Sequence, residues 1–380
     1  MTNPLIVYSL PVSGGSFPAQ LALLSEFYEA NKILKYYPDI ILASSGGNLA
    51  SYIAYAGDWS PEGILRVCKN ITSDAFIQSW FSPQLDFLPS FLIGMFKGSF
   101  YKSGYGANYF IKRYFTPETI QNVEIWSGTY NKNKNSAEFF CNRFSERALI
   151  QERYFEGDSY IYSVTSLNYL KKDEDILNKI GKIIIASASI PYTVEPQHID
   201  EYDYQDGGTM YASPTSILCN EIYRIFKGET FDKVFTLNSK SEISVEKEVI
   251  KPKRLRHFYF SPYDINSSEV IQSWKTLNMA VTQILYANLL SDRASAILNL
   301  QHIYEISYTQ LIHQHYSNIT TTQFAQILKN IDIYEHYVCD IYPIGIPGIN
   351  IENINYDEIL KIIKQVRNNY GVQIWYYDKI

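Results

Sequence analysis

A strand, a glycine-containing turn and a helix follow one another at the start of the chain, and this order constrains the fold more than any other feature. Residues 4–10 (PLIVYSL) are apolar and include β-branched side chains, which predicts a buried strand. Residues 13–16 (SGGS) predict a turn. After the turn, Leu21, Leu24 and either Phe27 or Tyr28 recur at the spacing of one helix face. Such a unit is the building block of an α/β fold.

The same order of elements occurs again a few residues later. Residues 39–43 (DIILA) predict a buried strand, residues 44–47 (SSGG) a tight turn, and residues 49–54 the start of a helix. Further along, residues 182–186 (KIIIA) predict a third strand. Because strands joined by helices pair in parallel, we expect an α/β fold with a central, mainly parallel sheet covered by helices.

The remaining sequence predicts a single domain over residues 1–380 with two distinct parts. Residues 58–180 are rich in aromatic side chains and poor in clear strands, which indicates an inserted or lid-like region. Residues 262–380 are mainly helical in pattern, and residues 270–284 carry one apolar helix face. No repeat or low-complexity linker divides the chain.

Composition and charge exclude several classes of protein. The chain of 380 residues is 46% hydrophobic and 19% charged with a net charge of −6, so it is globular and not a generally basic, nucleic-acid-binding protein. Its longest uncharged, strongly apolar stretch, residues 87–96, is shorter than the roughly 18 residues that a membrane span needs. No Lys or Arg precedes Lys32, so the basic segment of a secretory signal is missing. We therefore expect a cytoplasmic protein without a signal peptide.

Metal-binding patterns are also missing from the sequence. The four cysteines are far apart and form no CxxC pair: Cys68, Cys141, Cys219 and Cys339. This spacing argues against a zinc cluster or a disulfide framework. His313 and His315 have no Cys, Asp or Glu nearby at metal-ligand spacing. We predict neither a metal nor a cofactor.

Residues 43–47 (ASSGG) match the GxSxG pattern except for Ala43 in the first position. Their place between a predicted strand and a predicted helix is that of a nucleophile elbow, a sharp turn that projects a serine hydroxyl from the sheet. The N-terminus of the following helix favours developing negative charge. We therefore predict Ser45 as a nucleophile and Ser44 as the fallback, and an ordinary glycine-rich loop is the alternative.

A second block of motifs lies in the middle of the chain. Residues 186–191 (ASASIP) precede residues 206–208 (DGG), and residues 213–214 (SP) follow before a predicted helix. In these residues the chain resembles the patatin-like phospholipase family. That family carries A-[ST]-x-A-x-P, then D-G-G/A, and then a small residue with proline before a helix.

The resemblance extends to three further places. Residues 13–15 (SGG) lie where the family has its oxyanion loop, G-G-G-x-[RK]-G, and Ser45 lies in the G-x-S-x-G position. Near the C-terminus, residues 342–343 (YP) and 355–358 (NYDE), before a helix that ends at residues 370–371 (YG), resemble the closing helix of the family. Together the blocks span most of the chain in the order of the family.

The resemblance implies both an activity and a site. Patatin-like enzymes use a serine and an aspartate without histidine, which makes Ser45 the nucleophile and Asp206 the general base. The N–H groups of Gly14 and Gly15 are then the donors that stabilise the oxyanion. We expect a calcium-independent lipid acyl hydrolase of the phospholipase A type that cleaves lipid or phospholipid esters through an acyl-enzyme. An acyltransferase or a general esterase on the same dyad is the alternative within enzymes.

Three positions depart from the family pattern. Phe17 replaces the basic residue of the oxyanion loop, Pro18 replaces its last glycine and has no N–H to donate, and Ala43 replaces the first glycine of the elbow. These exchanges favour a catalytically impaired relative that binds lipids or a partner. Retention of Ser45 and Asp206 favours an active enzyme, because a binding protein has no chemical need for either.

A histidine offers a rival mechanism. Ser45, Asp206 and His257 reproduce the Ser…Asp…His chain order of α/β-hydrolases. His257 lies in residues 255–260 (LRHFYF), which alternate like a strand. A strand histidine beside basic residues is the simpler interpretation.

Two segments favour contact with a membrane surface. Residues 77–115 collect apolar and aromatic side chains beside lysines, which is typical of a surface that dips into lipid head groups, and a helical lid packed on the core is the alternative. Residues 251–256 (KPKRLR) form a basic run suited to anionic lipid heads or to a solvated loop. Nucleic-acid binding has no motif in its support. We expect peripheral membrane contact, and the sequence does not predict an oligomeric state.

Overall fold

The computed structural model describes a central sheet, the helices that cover it and most of the first half of the chain. The described residues are 5–34, 37–73, 77–79, 99, 101–143, 151–153, 162–166, 173–191, 193–209, 235–237, 243–245, 255–262, 337–341, 348–349, 354–369 and 375–376. Several segments that the sequence singled out lie outside these residues: 87–96, 213–214, 251–254, 270–284, 313–315, 342–343 and 370–371.

Fifteen strands and six α-helices are assigned within these ranges. The strands are β1 (Leu5–Leu10), β2 (Ile40–Ser44), β3 (Ile77–Ser79), β4 (Tyr101–Ser103), β5 (Glu124–Asn131), β6 (Ser136–Cys141), β7 (Gln151–Arg153), β8 (Tyr162–Ser166), β9 (Gln197–Ile199), β10 (Tyr202–Asp206), β11 (Phe235–Leu237), β12 (Ile243–Val245), β13 (Leu255–Phe260), β14 (Tyr337–Ile341) and β15 (Trp375–Tyr376). The helices are α1 (Phe17–Leu34), α2 (Gly46–Ala56), α3 (Pro61–Cys68), α4 (Gly106–Tyr114), α5 (Asp173–Ser187) and α6 (Tyr356–Asn369).

The main sheet is parallel in its centre and mixed towards its margins, where β6 and β8 pair in parallel and β8 and β7 antiparallel. Its strand order is β15-β14-β13-β1-β2-β5-β6-β8-β7. Every pair from β14 to β5 is parallel, whereas β15 pairs antiparallel with β14 and β6 pairs antiparallel with β5. β10 adds to β5 and β9 adds to β10, both antiparallel. The expected α/β fold with a mainly parallel sheet centre is confirmed, as are the strands predicted near residues 4–10, 39–43 and 255–260.

Apolar side chains of the first strand–turn–helix unit form the core between the sheet and α1. Leu21, Leu24 and Phe27, predicted to share one helix face, are all buried. The Phe27 ring lies 5.6 Å from that of Tyr8 on β1 and 4.7 Å from that of Phe258 on β13. Edge-to-face and tilted ring pairs of this kind add to the stabilisation that apolar burial gives.

The strand predicted over residues 182–186 does not exist, because these residues lie in α5. Three successive isoleucines in this stretch suggested a strand, yet α5 packs against β5 on one side and α4 on another, so its apolar face is wide. Ile176, Ile180, Ile183 and Ile184 are buried at helical spacing. The tertiary environment, rather than the β-branched composition, decides the element here.

Residues 58–180 contribute four strands, β5 to β8, to the main sheet, so the expectation that this region is poor in strands is wrong. β5 lacks a clear apolar alternation because polar side chains are buried along it and find partners there. Trp126 Nε1, for example, donates to Glu124 Oε1 at 2.8 Å. The division into one domain with an insertion and a helical C-terminal part stays a prediction.

The last described helix returns to the start of the chain. Its first turn is capped by Asn355, whose Oδ1 accepts a hydrogen bond from Glu358 N–H at 3.0 Å. α6 then packs on α1, and Arg367 forms an ion pair with Glu26. The helix expected after residues 355–358 is therefore confirmed, and it lies against the helix that follows the first glycine turn.

Candidate active site

Ser45 occupies the sharp turn between β2 and α2. Its φ is 53° and its ψ is −131°, a combination that residues with a side chain rarely adopt. Two glycines follow it, at positions where the backbone passes close to other groups. A side chain at Gly46 would overlap Ser13 Oγ, and one at Gly47 would overlap the carbonyl oxygen of Leu10. The turn therefore has the geometry expected of a nucleophile elbow.

β2 and β10 both pair with the same edge of β5, while β6 pairs with the other edge. The ends of β2 and β10 meet there, which brings Asp206 to Ser45. β2 runs along the free edge until Ser44 pairs with Gly128. β10 approaches along the same edge from the opposite direction, and its last residue, Asp206, pairs with Thr129. The two strand ends thus face consecutive residues of β5. This arrangement brings together residues that are 161 positions apart in the sequence.

The two side chains are joined by a short hydrogen bond. The Ser45 hydroxyl donates to Asp206 Oδ2 with an Oγ–Oδ2 distance of 2.6 Å. Asp206 Oδ1 accepts a hydrogen bond from Gly208 N–H at 2.8 Å. Burial raises the pKa of Asp206 to about 7, although the hydrogen bonds from Ser45 and Gly208 act in the opposite direction. A carboxylate with a pKa near neutrality is well suited to accept and return a proton.

The C-terminal end of α5 contacts both members of this pair. Ser187 Oγ accepts a hydrogen bond from Ser45 N–H at 2.9 Å and donates one to the carbonyl oxygen of Gly128 at 2.6 Å. The carbonyl oxygen of Ser189 accepts a hydrogen bond from Asp206 N–H at 3.0 Å. Neither serine had a role predicted from the sequence, in which the one signal was that both lie in the block that resembles the family.

The turn after β1 lies against the elbow. It is a 3₁₀ helix over Gly14–Ser16, closed by a hydrogen bond from Ser16 N–H to the carbonyl oxygen of Ser13 at 2.8 Å. The φ of Gly14 is 47°, in the left-handed region that favours glycine. A side chain at Gly46 would stand 2.9 Å from the Gly14 nitrogen. The amide of Gly14 therefore lies beside the residue that follows Ser45.

Gly15 is held by the C-terminal part of the chain. Its carbonyl oxygen accepts a hydrogen bond from Ile349 N–H at 2.8 Å. A side chain at Gly15 would overlap the carbonyl oxygen of Ile349. The two glycines thus lie next to the elbow, where the sequence placed the oxyanion loop, and their role as donors stays a prediction.

The three departures from the family pattern occupy structural positions. Phe17 is buried and belongs to the hydrophobic core. Pro18 lies in the first turn of α1, where a backbone N–H has no partner within the helix. Ala43 is a regular residue of β2, paired with Leu10 and Ser127. None of these three substitutions disrupts the hydrogen bond between the Ser45 hydroxyl and the Asp206 carboxylate.

The rival candidates have different surroundings. Ser44 Oγ is buried and has no hydrogen-bond partner among the residues that the structure describes. His257 lies in β13, where its backbone pairs with Val7 and Val338, and β1 separates β13 from β2. Within the described part of the chain, Ser45 is the side-chain hydrogen-bond partner of Asp206.

Neither a cluster of metal ligands nor a helix that could span a membrane occurs among the described residues. In the described ranges, no group of three or more His, Cys, Asp or Glu side chains could hold a metal ion. His313 and His315 lie outside those ranges. No helix in the described part of the chain is both long and apolar enough to cross a membrane.

The chain was compared with protein families, solved structures and curated proteins. The family profile of the patatin-like phospholipases matches residues 13–218, which is more than half of the 380 residues. Among solved structures, the crystal structure of VipD from Legionella pneumophila is similar at 8% identity and a TM-score of 0.32, with 96% of this chain and 67% of that chain covered. No curated protein matches the sequence. The range matched by the family includes the two glycines of the first turn, Ser45 and Asp206.

Proposed function

The chain belongs to the patatin-like phospholipase family, and on that premise we propose that it is a lipid acyl hydrolase of the phospholipase A type. It cleaves an ester bond of a lipid or phospholipid through an acyl-enzyme on Ser45. The observation that carries this proposal is the 2.6 Å hydrogen bond from Ser45 Oγ to Asp206 Oδ2. A serine hydroxyl becomes an effective nucleophile only when a base engages it in this way.

Acylation begins with ionised Asp206. Ser45 Oγ attacks the carbonyl carbon of the ester while its proton passes to Asp206 Oδ2. The carbonyl oxygen becomes an oxyanion, to which the N–H groups of Gly14 and Gly15 donate hydrogen bonds. The bond between the acyl carbon and the alcohol oxygen then breaks, and Asp206 returns the proton to the departing lysolipid.

Deacylation repeats the same proton transfers with water as the nucleophile. A water molecule attacks the acyl carbon while one of its protons passes to Asp206. The bond from the acyl carbon to Ser45 Oγ breaks, and Asp206 gives the proton back to Ser45. A fatty acid leaves, and both residues return to their starting states.

The family resemblance implies substrates that lie in membranes, and α4 has a face suited to membrane contact. Tyr105 and Tyr109 are 53% and 70% exposed, and Lys112 and Arg113 are exposed on the same helix. Tyrosine and basic side chains together are typical of surfaces that lie among lipid head groups. We therefore expect this part of residues 77–115 to bind membranes peripherally. Anionic vesicles should retain less of a Tyr105→Ser/Tyr109→Ser variant than of the wild type, and equal retention would contradict this contact.

The activity is tested with phosphatidylcholine vesicles in the presence of a calcium chelator, and the nucleophile with a fluorophosphonate probe. We expect the wild type to release fatty acid and to be labelled. Ser45→Ala should lose both, and Asp206→Asn should reduce both by about 10³-fold or more, as loss of a catalytic residue does in other serine hydrolases. A matched control is Ser51→Ala in α2, because the Ser51 hydroxyl is buried and its partner among the described residues is the Asn48 carbonyl.

The outcomes separate the candidate functions. A folded wild type that releases no fatty acid from any lipid ester would contradict the proposal that the protein is a lipid hydrolase. Labelling that persists in Ser45→Ala would contradict the assignment of Ser45 as the nucleophile. Transfer of the acyl chain to an added alcohol in preference to water would identify an acyltransferase on the same serine.

A further inference from the structure

We infer that Ser187 is a positioning residue that holds the nucleophile in its reactive turn, an inference that rests on the proposed function of Ser45. Ser187 is completely buried at the end of α5. Its hydroxyl accepts from Ser45 N–H and donates to the Gly128 carbonyl oxygen. The hydrogen bonds described for the carboxylate of the base come from Ser45 and Gly208, so Ser187 acts through the backbone of the nucleophile.

The Ser187 hydroxyl lies where β2 leaves the sheet. β2 and β5 are paired up to Ser44 and Gly128. At the next residue, Ser45 N–H is 2.9 Å from the Ser187 oxygen, which is 2.6 Å from the carbonyl oxygen of Gly128. A hydroxyl can accept and donate at once, so it extends the hydrogen bonding between the strands by one group. This extension lets the chain turn at Ser45 without leaving a buried donor and a buried acceptor unpaired.

The same end of α5 also holds the base. Two residues after Ser187, the Ser189 carbonyl oxygen accepts a hydrogen bond from Asp206 N–H at 3.0 Å. One short segment therefore fixes the backbone of both the nucleophile and the base. Because Ser45 has an unfavourable φ of 53°, its turn depends on surrounding contacts of this kind.

Loss of the Ser187 hydroxyl should lower turnover without weakening substrate binding. In Ser187→Ala the nitrogen of Ser45 and the carbonyl of Gly128 lose their shared partner, and the turn shifts. A displacement of a catalytic group by less than 1 Å is enough to slow catalysis by about 10- to 100-fold. We expect kcat for p-nitrophenyl butyrate to fall by that factor while KM changes by less than about threefold. The acid limb of the pH profile should stay in place, because the contacts of Asp206 are unchanged.

Two variants separate this role from general damage. Ser187→Thr keeps a hydroxyl at the same carbon and should recover most of the wild-type kcat. Ser51→Ala is the matched control, because the Ser51 hydroxyl is equally buried and its partner among the described residues is the Asn48 carbonyl of its own helix. It should leave kcat within about twofold of the wild type. Melting temperatures of all variants show whether activity merely follows stability.

Each result supports or overturns the inference. A folded Ser187→Ala with wild-type kcat overturns it, as does a Ser51→Ala variant that loses as much kcat as Ser187→Ala. If Ser187→Ala does not fold, Ser187→Cys replaces it, since a thiol of similar size donates weakly and should also lower kcat. An unchanged kcat in folded Ser187→Cys would again overturn the role. These failures require an active wild type, whereas an inactive wild type would contradict the proposed function itself.

Discussion

The turns after β1 and β2 follow neighbouring parallel strands, and each contains a residue with positive φ. In the first turn that residue is Gly14, with φ of 47°, and in the second it is Ser45, with φ of 53°. Glycine adopts this conformation at little cost, whereas a serine is strained there. The first turn needs only backbone N–H groups for its proposed role, while the second must present a hydroxyl.

The two turns are also held in different ways. Gly15 is held through a backbone contact to Ile349, from the C-terminal part of the chain. Ser45 is held by its side chain through Asp206 and by its N–H through Ser187. Ser45, a strained residue whose side chain is required, is therefore surrounded by hydrogen-bonding partners. A turn that uses only its backbone is instead shaped by glycine and close packing.

The largest expected effect comes from removing the strained side chain. Both Ser45→Ala and Ser45→Gly should lose hydrolysis by about 10⁴-fold or more, since neither keeps a nucleophile. Their stabilities should differ, because glycine relieves the positive φ and alanine does not. We expect Ser45→Gly to exceed Ser45→Ala by about 1 kcal/mol in the free energy of unfolding, measured by urea denaturation. If alanine were the more stable of the two, the turn at Ser45 would not be strained.

The next effect tests how the first turn is shaped. A methyl group at Gly15 would overlap the backbone of Ile349, whereas one at Gly14 would meet nothing within 4 Å. Gly15→Ala should therefore displace the proposed oxyanion donors and lower kcat by about 10²-fold. Gly14→Ala should cost about 1 kcal/mol of stability through its positive φ, and it should lower kcat by less than about tenfold. The opposite order of kcat values would contradict the packing explanation.

A smaller effect, a change in activity of about tenfold per pH unit, is expected from the titration of Asp206, which contacts the second turn. Asp206 must be ionised to accept the proton, and burial raises its pKa to about 7. Activity should therefore fall by about tenfold for each unit below pH 7 and level off above it. Gly15→Ala should lower the plateau but leave the acid limb in place, since the first turn carries no titrating group. A limb near pH 4 would show that burial does not raise the pKa of the base.

The same pKa has a consequence for stability. In the unfolded chain Asp206 titrates near its ordinary value of about 3.9, so the folded protein binds this proton more tightly. The resulting contribution to the free energy of unfolding is fully present below about pH 4 and is lost as the pH rises towards 7. Between those values the wild type should lose stability relative to Asp206→Asn. Parallel unfolding curves at several pH values measure the difference.

The smallest effect is expected at the serine beside the nucleophile. Ser44 Oγ is buried without a hydrogen-bond partner among the described residues. Ser44→Ala should therefore leave fluorophosphonate labelling and kcat within about twofold of the wild type, and stability unchanged or slightly raised. Loss of labelling in a folded Ser44→Ala would transfer the role of nucleophile to this residue.

Much of the site was predictable because its residues lie in short local motifs. The strands before Ser13 and Ser44 have apolar runs bounded by turn residues, and the structure has both of them. The strand predicted over residues 182–186 failed, because a helix covered on several sides has the same composition as a buried strand. The strands β5 and β6 were missed, since buried polar residues with side-chain partners interrupt the apolar pattern that prediction relies on.

The sequence by itself indicated β1, β2 and the turns that follow them, and it singled out Ser45 and Asp206 as candidates, because strand, turn and motif patterns are local. Only the tertiary structure decided that Ser45 and Asp206 make direct contact, since this depends on β2 and β10 meeting on one edge of β5. It also decided that Ser187 binds the turn and that Phe17 belongs to the core. Contacts between residues far apart in the sequence arise from packing and strand register, which a local pattern does not contain.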